Sequence, residues 1–213
     1  MTSPLAPTVI QPALWDEPAP HHSLRVVADA RDRVAWLRAR AHGVTATDVA
    51  RLSGPRAVPA LAMEKLLGSR FSGNAATEHG RRREPAIAAW AGRVYGMTAS
   101  SALFHAADRR EHLATPDGLR ERDGRVELCE IKTTASGWSR VPRAYLRQVW
   151  WQQYVLGAER SLLVWERHDG FVPVGEPECR WIDRDDREIA RLVALADQLL
   201  VAMRRDPVGV VRG

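Results

Sequence analysis

Two carboxylates and a lysine near the middle of the chain have residue types and a spacing that can do hydrolytic chemistry. They are Asp117 and the pair Glu130 and Lys132, which one residue separates. Only two of the 31 basic residues are lysines, so a lysine retained here suggests a role that arginine cannot fill, namely release of a proton. Carboxylate oxygens suit Mg²⁺ or Mn²⁺, and a lysine beside them can orient or deprotonate a water. Such a set can hydrolyse phosphodiester bonds.

The pair Asp123-Gly124 predicts how these side chains come together. It is a preferred pair for a two-residue type I′ hairpin turn, in which both residues take positive φ. If the residues that flank this turn pair with each other, Asp117 falls opposite Glu130, with Cβ atoms about 4.5 to 5.5 Å apart. Two carboxylates this close need a cation, and Lys132 points to the same face because side chains alternate along a strand. The simpler alternative is a surface hairpin with an exposed salt bridge between Glu130 and Lys132.

Hydrophobic periodicity predicts the helices and strands around this hairpin. Helices are predicted over residues 23–40, 77–95, 143–156 and 186–204. A capping box at Thr45-Ala46-Thr47-Asp48 predicts the start of another helix. Strands are predicted over residues 97–102, 113–119, 126–132 and 161–167, and near 171–174 and 179–183.

Length and composition favour one domain between two flanking segments. The chain has 213 residues and 45% hydrophobic content, which is enough for a single core. We expect a proline-rich arm over residues 1–23, one domain over residues 24–206 and a short tail over residues 207–213. Trp15 could anchor the arm to a partner.

Charge, cysteine and histidine content limit the partners and cofactors. The net charge of +5 and the pI near 9.8 favour an anionic partner. Cys129 and Cys179 are too few for a disulfide framework or a four-cysteine cluster, and Cys129 is expected in the core. The histidines show no metal-ligand pattern, since His21 and His22 fall in the arm. No apolar run approaches the ~20 residues of a membrane span and no signal peptide is visible, so we expect a cytoplasmic protein without a membrane partner.

The segment Thr115-Pro116-Asp117-Gly118-Leu119, followed by Glu130-Ile131-Lys132, resembles the PD-(D/E)XK nuclease signature. More narrowly, the chain resembles the phage lambda exonuclease and YqaJ-type viral recombinase family. Residues 36–48, 76–85 and 145–157 are similar to further segments of that family in the same order, so the resemblance runs from about Val34 to Gly157. It implies an α/β fold with a PD-(D/E)XK restriction-endonuclease-like core, in which helices flank a central mixed sheet.

The resemblance also implies roles for individual residues. Asp117, Glu130 and the backbone carbonyl of Ile131 would hold one or two Mg²⁺ ions, with Mn²⁺ as a substitute. Lys132 would help to prepare water for attack on the scissile phosphate. Glu84 would position these components.

Helical spacing predicts the directions in which the side chains of Glu84 and of two glutamines point. Glu84 shares a helical stripe with Ile87, which would turn its carboxylate toward the apolar side; alternatively, Pro85 begins the helix and Glu84 flanks it in solvent. Gln148 and Gln152 lie one turn apart, so a buried pair of amides could bond a catalytic side chain or a DNA phosphate. The resemblance favours Gln148 as the catalytic one and leaves Gln152 a weaker candidate.

Arg40, Thr45 and Thr47 match residues that form a pocket for the 5′-terminal phosphate in the exonuclease family. Arginine can bind phosphate through two hydrogen bonds, and hydroxyls with open amides at a helix start form an anion site. The alternative is that Thr45 only caps the helix together with Asp48 and that Arg40 is a solvated helix residue.

Together these features predict a metal-dependent DNA exonuclease that degrades linear double-stranded DNA from a 5′ end and leaves a 3′ single strand for recombination. The resemblance implies a homo-oligomeric ring around DNA, with a trimer as one form, and a single-strand annealing protein as partner. Two alternatives remain: an endonuclease of the same superfamily, and a non-catalytic DNA-binding or interaction protein on the same scaffold.

Overall fold

The computed structural model describes residues 21–68 and 73–204. The predicted arm, with Trp15, lies almost wholly outside these residues, and so does the predicted tail over 207–213. The division into arm, domain and tail therefore stays a prediction. Two residues assigned to the arm are nevertheless folded, because His22 and Ser23 lie in a short 3-10 helix, His22–Arg25, and His22 is buried.

Six α-helices and ten strands make up the described residues. The helices are α1 (Arg33–His42), α2 (Ala46–Arg51), α3 (Val58–Leu67), α4 (Ala75–Tyr95), α5 (Arg143–Leu156) and α6 (Asp186–Arg204). The strands are β1 (Val26–Asp29), β2 (Val44–Thr45), β3 (Thr98–Ala99), β4 (Ala102–His105), β5 (His112–Ala114), β6 (Gly118–Arg122), β7 (Arg125–Thr134), β8 (Arg160–Asp169), β9 (Val172–Pro173) and β10 (Glu178–Asp183). The predicted bounds of α5 and α6 are confirmed at both ends.

The strands form two mixed sheets that helices flank. The first sheet has the order β1-β4-β5-β2, in which only β2 and β5 are parallel. The second has the order β10-β8-β7-β6-β3, with β9 beside β8, and its parallel pair is β7 and β8. Helix α5 connects these two parallel strands, as a crossover requires. The predicted α/β fold is confirmed, although two mixed sheets replace the single central one.

Strand β7 lies between two apolar layers because its side chains alternate between its faces. Leu128 belongs to the larger core cluster, which includes Val149 of α5. Cys129 packs on the other side with Ile87 of α4, so its expected core position is confirmed. Glu130 then falls on the same side as Leu128, toward α5.

Some element predictions are wrong because tertiary packing outweighs local periodicity. The predicted helix over residues 23–40 is a 3-10 helix, strand β1 and helix α1. Val26 pairs with Phe104, as its β-branched side chain favours. Helix α1 starts only after Asp32, whose side chain accepts the backbone N–H of Ala35. Helix α3 has no counterpart in the prediction.

The predicted strands over residues 97–102 and 113–119 each divide between the two sheets. Strands β4 and β5 belong to the first sheet, and strands β3 and β6 belong to the second. The second division falls at Thr115-Pro116-Asp117, between β5 and β6. Asp117 therefore lies in a connection between the two sheets. Within the described part of the chain, no helix has the length and apolar character needed to cross a membrane.

Candidate active site

The β6–β7 hairpin places the carboxylate of Asp117 beside β7. Its turn residues have φ angles of 52° and 73°, and the residues on either side of the turn pair with each other. The ladder ends where Gly118 pairs with Cys129, and Asp117 is the next residue. Its Oδ2 accepts a hydrogen bond from the backbone N–H of Ile131 at 2.7 Å. The predicted turn and register are confirmed.

Glu130 is the most enclosed carboxylate of the site, with a side chain only 2% exposed. Its Oε1 accepts hydrogen bonds from Nζ of Lys132 and from Nε2 of Gln148. Its Oε2 accepts from Nε2 of Gln152 at 2.6 Å. The predicted amide pair thus reaches a carboxylate of the site. The alternative of an exposed surface salt bridge is wrong, since both partners of this ion pair are largely buried.

Burial and crowded charge shift the pKa values of Asp117 and Lys132. Burial, followed by the charge of Glu130, raises the pKa of Asp117 well above its usual range, although Lys132 opposes this rise. Burial lowers the pKa of Lys132, but the carboxylates of Glu130 and Asp117 outweigh burial, and the pKa is raised. The lysine is therefore a charged ammonium in this arrangement.

The cluster borders a cleft of about 400 Å³ that residues of α4, α5 and β7 line. Lys132 and Tyr145 face each other in its wall, with Nζ 5.2 Å from the centroid of the tyrosine ring. This is a cation–π contact. This contact was not predicted from the sequence. The only hint in the sequence is that Tyr145 precedes Gln148 by three residues, which places both on one face of α5.

Glu84 also lines this cleft, from helix α4. The residue is exposed, so the expectation that it turns toward the apolar side is wrong. The alternative is wrong about the helix, because α4 begins at Ala75 and Pro85 lies inside it, but the solvent exposure that it expected for Glu84 is observed. Although the residue as a whole is exposed, partial desolvation at the cleft, followed by the charge of Glu130, raises the pKa of Glu84. Glu84 therefore adds a third acidic group to the cluster.

The three consecutive arginines before Glu84 have different surroundings. Arg83 donates two hydrogen bonds to the buried carboxylate of Glu166, at 2.7 and 2.8 Å. Arg81 lines the cleft instead, and its charge opposes the rise in the pKa of Glu84. Arg83 thus joins α4 to β8, whereas Arg81 can meet an anion that enters the cleft.

Arg40 and Thr47 are two of the three residues predicted to bind the 5′-terminal phosphate, and their surroundings are compatible with anion binding. The guanidinium carbon of Arg40 lies 4.2 Å from the ring centroid of Trp36, and burial lowers the pKa of Arg40 while Asp48 opposes this. Among the described residues, no carboxylate lies within ion-pair distance of Arg40. Thr47 is exposed in the first turn of α2. Arg40 and Thr47 therefore remain candidates for binding an anion.

Thr45 instead has the capping role of the alternative interpretation. It is 1% exposed, its hydroxyl donates to Oδ2 of Asp48 at 2.8 Å, and the N–H of Asp48 donates back to that hydroxyl at 3.3 Å. Its own backbone N–H also donates to Asp48. Lys65, the second lysine, completes this arrangement with Nζ 2.8 Å from the same carboxylate oxygen. We therefore do not assign Thr45 to a phosphate pocket.

The donor set of the cluster fits a divalent metal ion. Asp117 and Glu130 supply hard carboxylate oxygens, which Mg²⁺ and Mn²⁺ prefer. Burial, followed by the charge of Glu130, raises the pKa values of both Asp117 and Glu84, and the nearby charge of Lys132 does not offset this rise. A divalent cation beside these carboxylates would lower these pKa values.

An α/β core with an aspartate at the start of a hairpin and a Glu-x-Lys on its second strand defines the PD-(D/E)XK class of fold. Residues 35–159, more than half of the chain, match the YqaJ-like viral recombinase domain. The chain therefore belongs to the YqaJ-like viral recombinase family. No curated protein sequence matches it.

Solved structures share this fold. An alkaline exonuclease (LHK-Exo) from Laribacter hongkongensis has a TM-score of 0.65 at 23% identity, over 83% of this chain and 95% of its own. Its complex with dAMP has a TM-score of 0.66 with the same identity and coverage. A phage-related exonuclease from Haemophilus somnus 129PT has a TM-score of 0.59 at 12% identity, over 76% of this chain and 93% of its own. At these identities the likeness establishes the fold.

Proposed function

We propose that the protein is a metal-dependent DNA exonuclease that degrades linear double-stranded DNA from 5′ ends and leaves a 3′ single strand for recombination. The observation that carries this proposal is the buried carboxylate of Glu130, which three side chains hold beside Asp117, next to a cleft that Lys132 lines. A buried charge is costly unless it is well paired, so such an arrangement suits a site that binds a metal and a phosphate. Membership of the YqaJ-like family and the exonucleases of the same fold support it.

The metal would be held by Asp117, Glu130 and the backbone carbonyl of Ile131. A bound Mg²⁺, or Mn²⁺ in its place, would lower the pKa of a water and stabilise negative charge on the scissile phosphate. The protein's own contribution is to fix the ligands. Gln148 and Gln152 hold one oxygen each of Glu130, so the carboxylate has a single orientation.

Lys132 would orient the attacking water. Its Nζ hydrogen-bonds Glu130 and faces Tyr145, which leaves an ammonium proton to donate into the cleft. The charge of a neighbouring divalent cation would lower the pKa of this ammonium group, so that the group releases a proton more easily and the neutral amine can then accept a proton from water. Glu84, on the opposite wall, would position a water or a metal ligand.

Arg40 and Thr47 would bind the 5′-terminal phosphate. The arginine is stacked on Trp36 and so keeps one orientation, and Thr47 lies where helix α2 begins. This pocket favours an enzyme that starts at a DNA end over one that cuts within a strand. We further propose a homo-oligomeric ring around DNA, a cytoplasmic location and a single-strand annealing protein as partner, as the family resemblance implies.

A substrate panel tests the proposal. The purified protein is incubated with linear 5′-phosphorylated, linear 5′-hydroxyl and closed circular duplexes of one sequence, each with Mg²⁺ or with EDTA. We expect mononucleotide release from both linear duplexes in Mg²⁺ only, with the phosphorylated end preferred. Nicking of the circle would instead identify an endonuclease, and no metal-dependent cleavage at all would favour a binding module.

A further inference from the structure

Three side chains with metal-ligating atoms meet near the β6–β7 turn, at the other end of β6 from Asp117. His21 and His22 precede β1, and Glu121 lies in β6. Their ligand atoms all lie within 4.8 Å of one another. The sequence-based expectation that the histidines show no metal-ligand pattern is wrong for His21 and His22, because the fold brings them next to Glu121, which is far away in the sequence.

The distances from the carboxylate of Glu121 to the two imidazoles are close to those between ligands of a tetrahedral metal ion. Oε1 of Glu121 lies 2.9 Å from Nε2 of His21 and 3.4 Å from Nε2 of His22. Zinc ligands at about 2.0 to 2.1 Å from the ion are roughly 3.3 Å apart when the geometry is tetrahedral. A small movement of side chains would thus admit an ion between these three atoms.

The surroundings of the two imidazoles orient Nε2 toward the carboxylate. The Nδ1 of His21 lies 2.8 Å from the hydroxyl of Ser23 and accepts the backbone N–H of Ser23 at 3.4 Å, so this nitrogen is engaged within the chain and Nε2 is left to face the carboxylate. His22 is 7% exposed, and its Nδ1 is buried with no hydrogen-bond partner among the described residues. Its Nε2 is therefore the nitrogen that can reach a ligand.

We propose that His21, His22 and Glu121 bind a divalent transition metal ion, with Zn²⁺ as the best fit. Two imidazoles and one carboxylate suit Zn²⁺, whereas Mg²⁺ prefers oxygen ligands such as those around Asp117. Three protein ligands leave a fourth position for water. The ion would tie the start of the described chain to the hairpin that carries the cluster of Asp117 and Glu130, independently of whether that cluster cleaves DNA.

Zinc binding is measured by titration calorimetry on the full chain that carries Asp117→Asn, which weakens binding at the acidic cluster. We expect about one equivalent of Zn²⁺ to bind, and Tm to rise by roughly 5 to 11 °C when free Zn²⁺ is 100-fold above Kd. Co²⁺ in place of Zn²⁺ should give visible absorption bands typical of a four-coordinate nitrogen and oxygen site.

The decisive comparison adds a second substitution to this background. His21→Ala and Glu121→Gln change exposed side chains and so preserve the fold. Loss of a residue that only hydrogen-bonds a metal ligand weakens metal affinity by roughly 10- to 100-fold, so loss of a direct ligand in either variant should weaken Zn²⁺ binding by more than that. His42→Ala, at an exposed histidine of α1, is the matched control and should leave binding unchanged. The proposal is overturned if Zn²⁺ fails to bind, or if it binds equally well without His21 and Glu121; either result would leave a plain histidine–glutamate ion pair.

Discussion

Replacement of Lys132 by methionine and by arginine separates its charge from its chemistry. Lys132→Met keeps most of the length of the side chain but removes the cation from Glu130. Lys132→Arg keeps a cation that can still pair with Glu130 but that cannot release its proton. If Lys132 prepares the attacking water, both variants lose cleavage, whereas only the methionine variant loses the ion pair.

The expected magnitudes follow from burial. Glu130 is 2% exposed and Lys132 is 19% exposed, and removal of one partner from a buried pair costs about 3 to 5 kcal/mol. Gln148 and Gln152 remain bonded to Glu130 in the methionine variant, so we expect about 3 kcal/mol, or roughly 6 to 12 °C in Tm. The arginine variant should lose about 1 kcal/mol from poorer packing alone. Loss of proton transfer should lower kcat by about 100-fold or more in both variants, which is about 2.7 kcal/mol in the barrier.

The assay is single-turnover nucleotide release from a linear 5′-phosphorylated duplex in Mg²⁺, with DNA binding followed by fluorescence anisotropy and stability followed by thermal unfolding. Both variants should bind DNA at near wild-type affinity at temperatures where they are folded. Lys65→Arg is the matched control, because Lys65 is the only other lysine and pairs with Asp48 rather than with the cluster. Near-normal turnover in Lys132→Arg would show that charge alone suffices, and near-normal turnover in Lys132→Met would remove the lysine from the mechanism.

Four further variants test neighbouring parts of the site. Asp117→Asn should stabilise the metal-free protein in EDTA at pH 7 by an amount on the order of 1 kcal/mol, because the raised pKa of Asp117 means that its charged form is disfavoured in the fold. This gain in the free energy of unfolding should shrink as the pH falls, because the wild-type carboxyl group then takes up a proton. Urea unfolding at several pH values measures it. Arg40→Ala should abolish the preference for a phosphorylated 5′ end in competition assays, and an unchanged preference refutes the pocket. Thr45→Val should keep that preference but lose about 1 kcal/mol of stability, because it removes the helix cap. Gln152→Leu removes a donor to Glu130, so the free energy of unfolding measured in urea should fall by about 1.5 to 3 kcal/mol. The same variant should lower kcat more than it raises KM, and an unaltered kcat would make this glutamine purely structural.

The parts of the fold that sequence could predict are those that local chemistry determines. The Asp123-Gly124 pair requires positive φ at both residues, so it predicts the turn and, through the turn, the register of β6 and β7. Helices α5 and α6 have apolar stripes long enough to define their ends. The contacts of Gln148 and Gln152 with Glu130 follow from helical spacing together with the side of β7 that Glu130 occupies.

The parts that sequence could not predict depend on which distant residues become neighbours. Strand β1 exists because β4 pairs with it, and an isolated run of residues 26–29 gives no sign of that partner. Lys65 meets Asp48 only once α3 packs near the start of α2, and His22 meets Glu121 only once the two sheets have formed. Glu84 is exposed because it faces the cleft beside α4, and the hydrophobic periodicity of one helix does not show where such a cleft lies.

Dependence of cleavage on a metal held by Asp117 is best tested by two measurements on the wild-type protein and on Asp117→Asn: Mg²⁺ binding by calorimetry, and Mg²⁺-dependent mononucleotide release from a linear duplex. We expect that the wild-type protein binds Mg²⁺ and releases nucleotides, that EDTA stops the release, and that Asp117→Asn remains folded but loses both properties. Cleavage by Asp117→Asn at the wild-type rate, or wild-type cleavage that persists in EDTA, would contradict a metal-dependent site built on Asp117, Glu130 and Lys132.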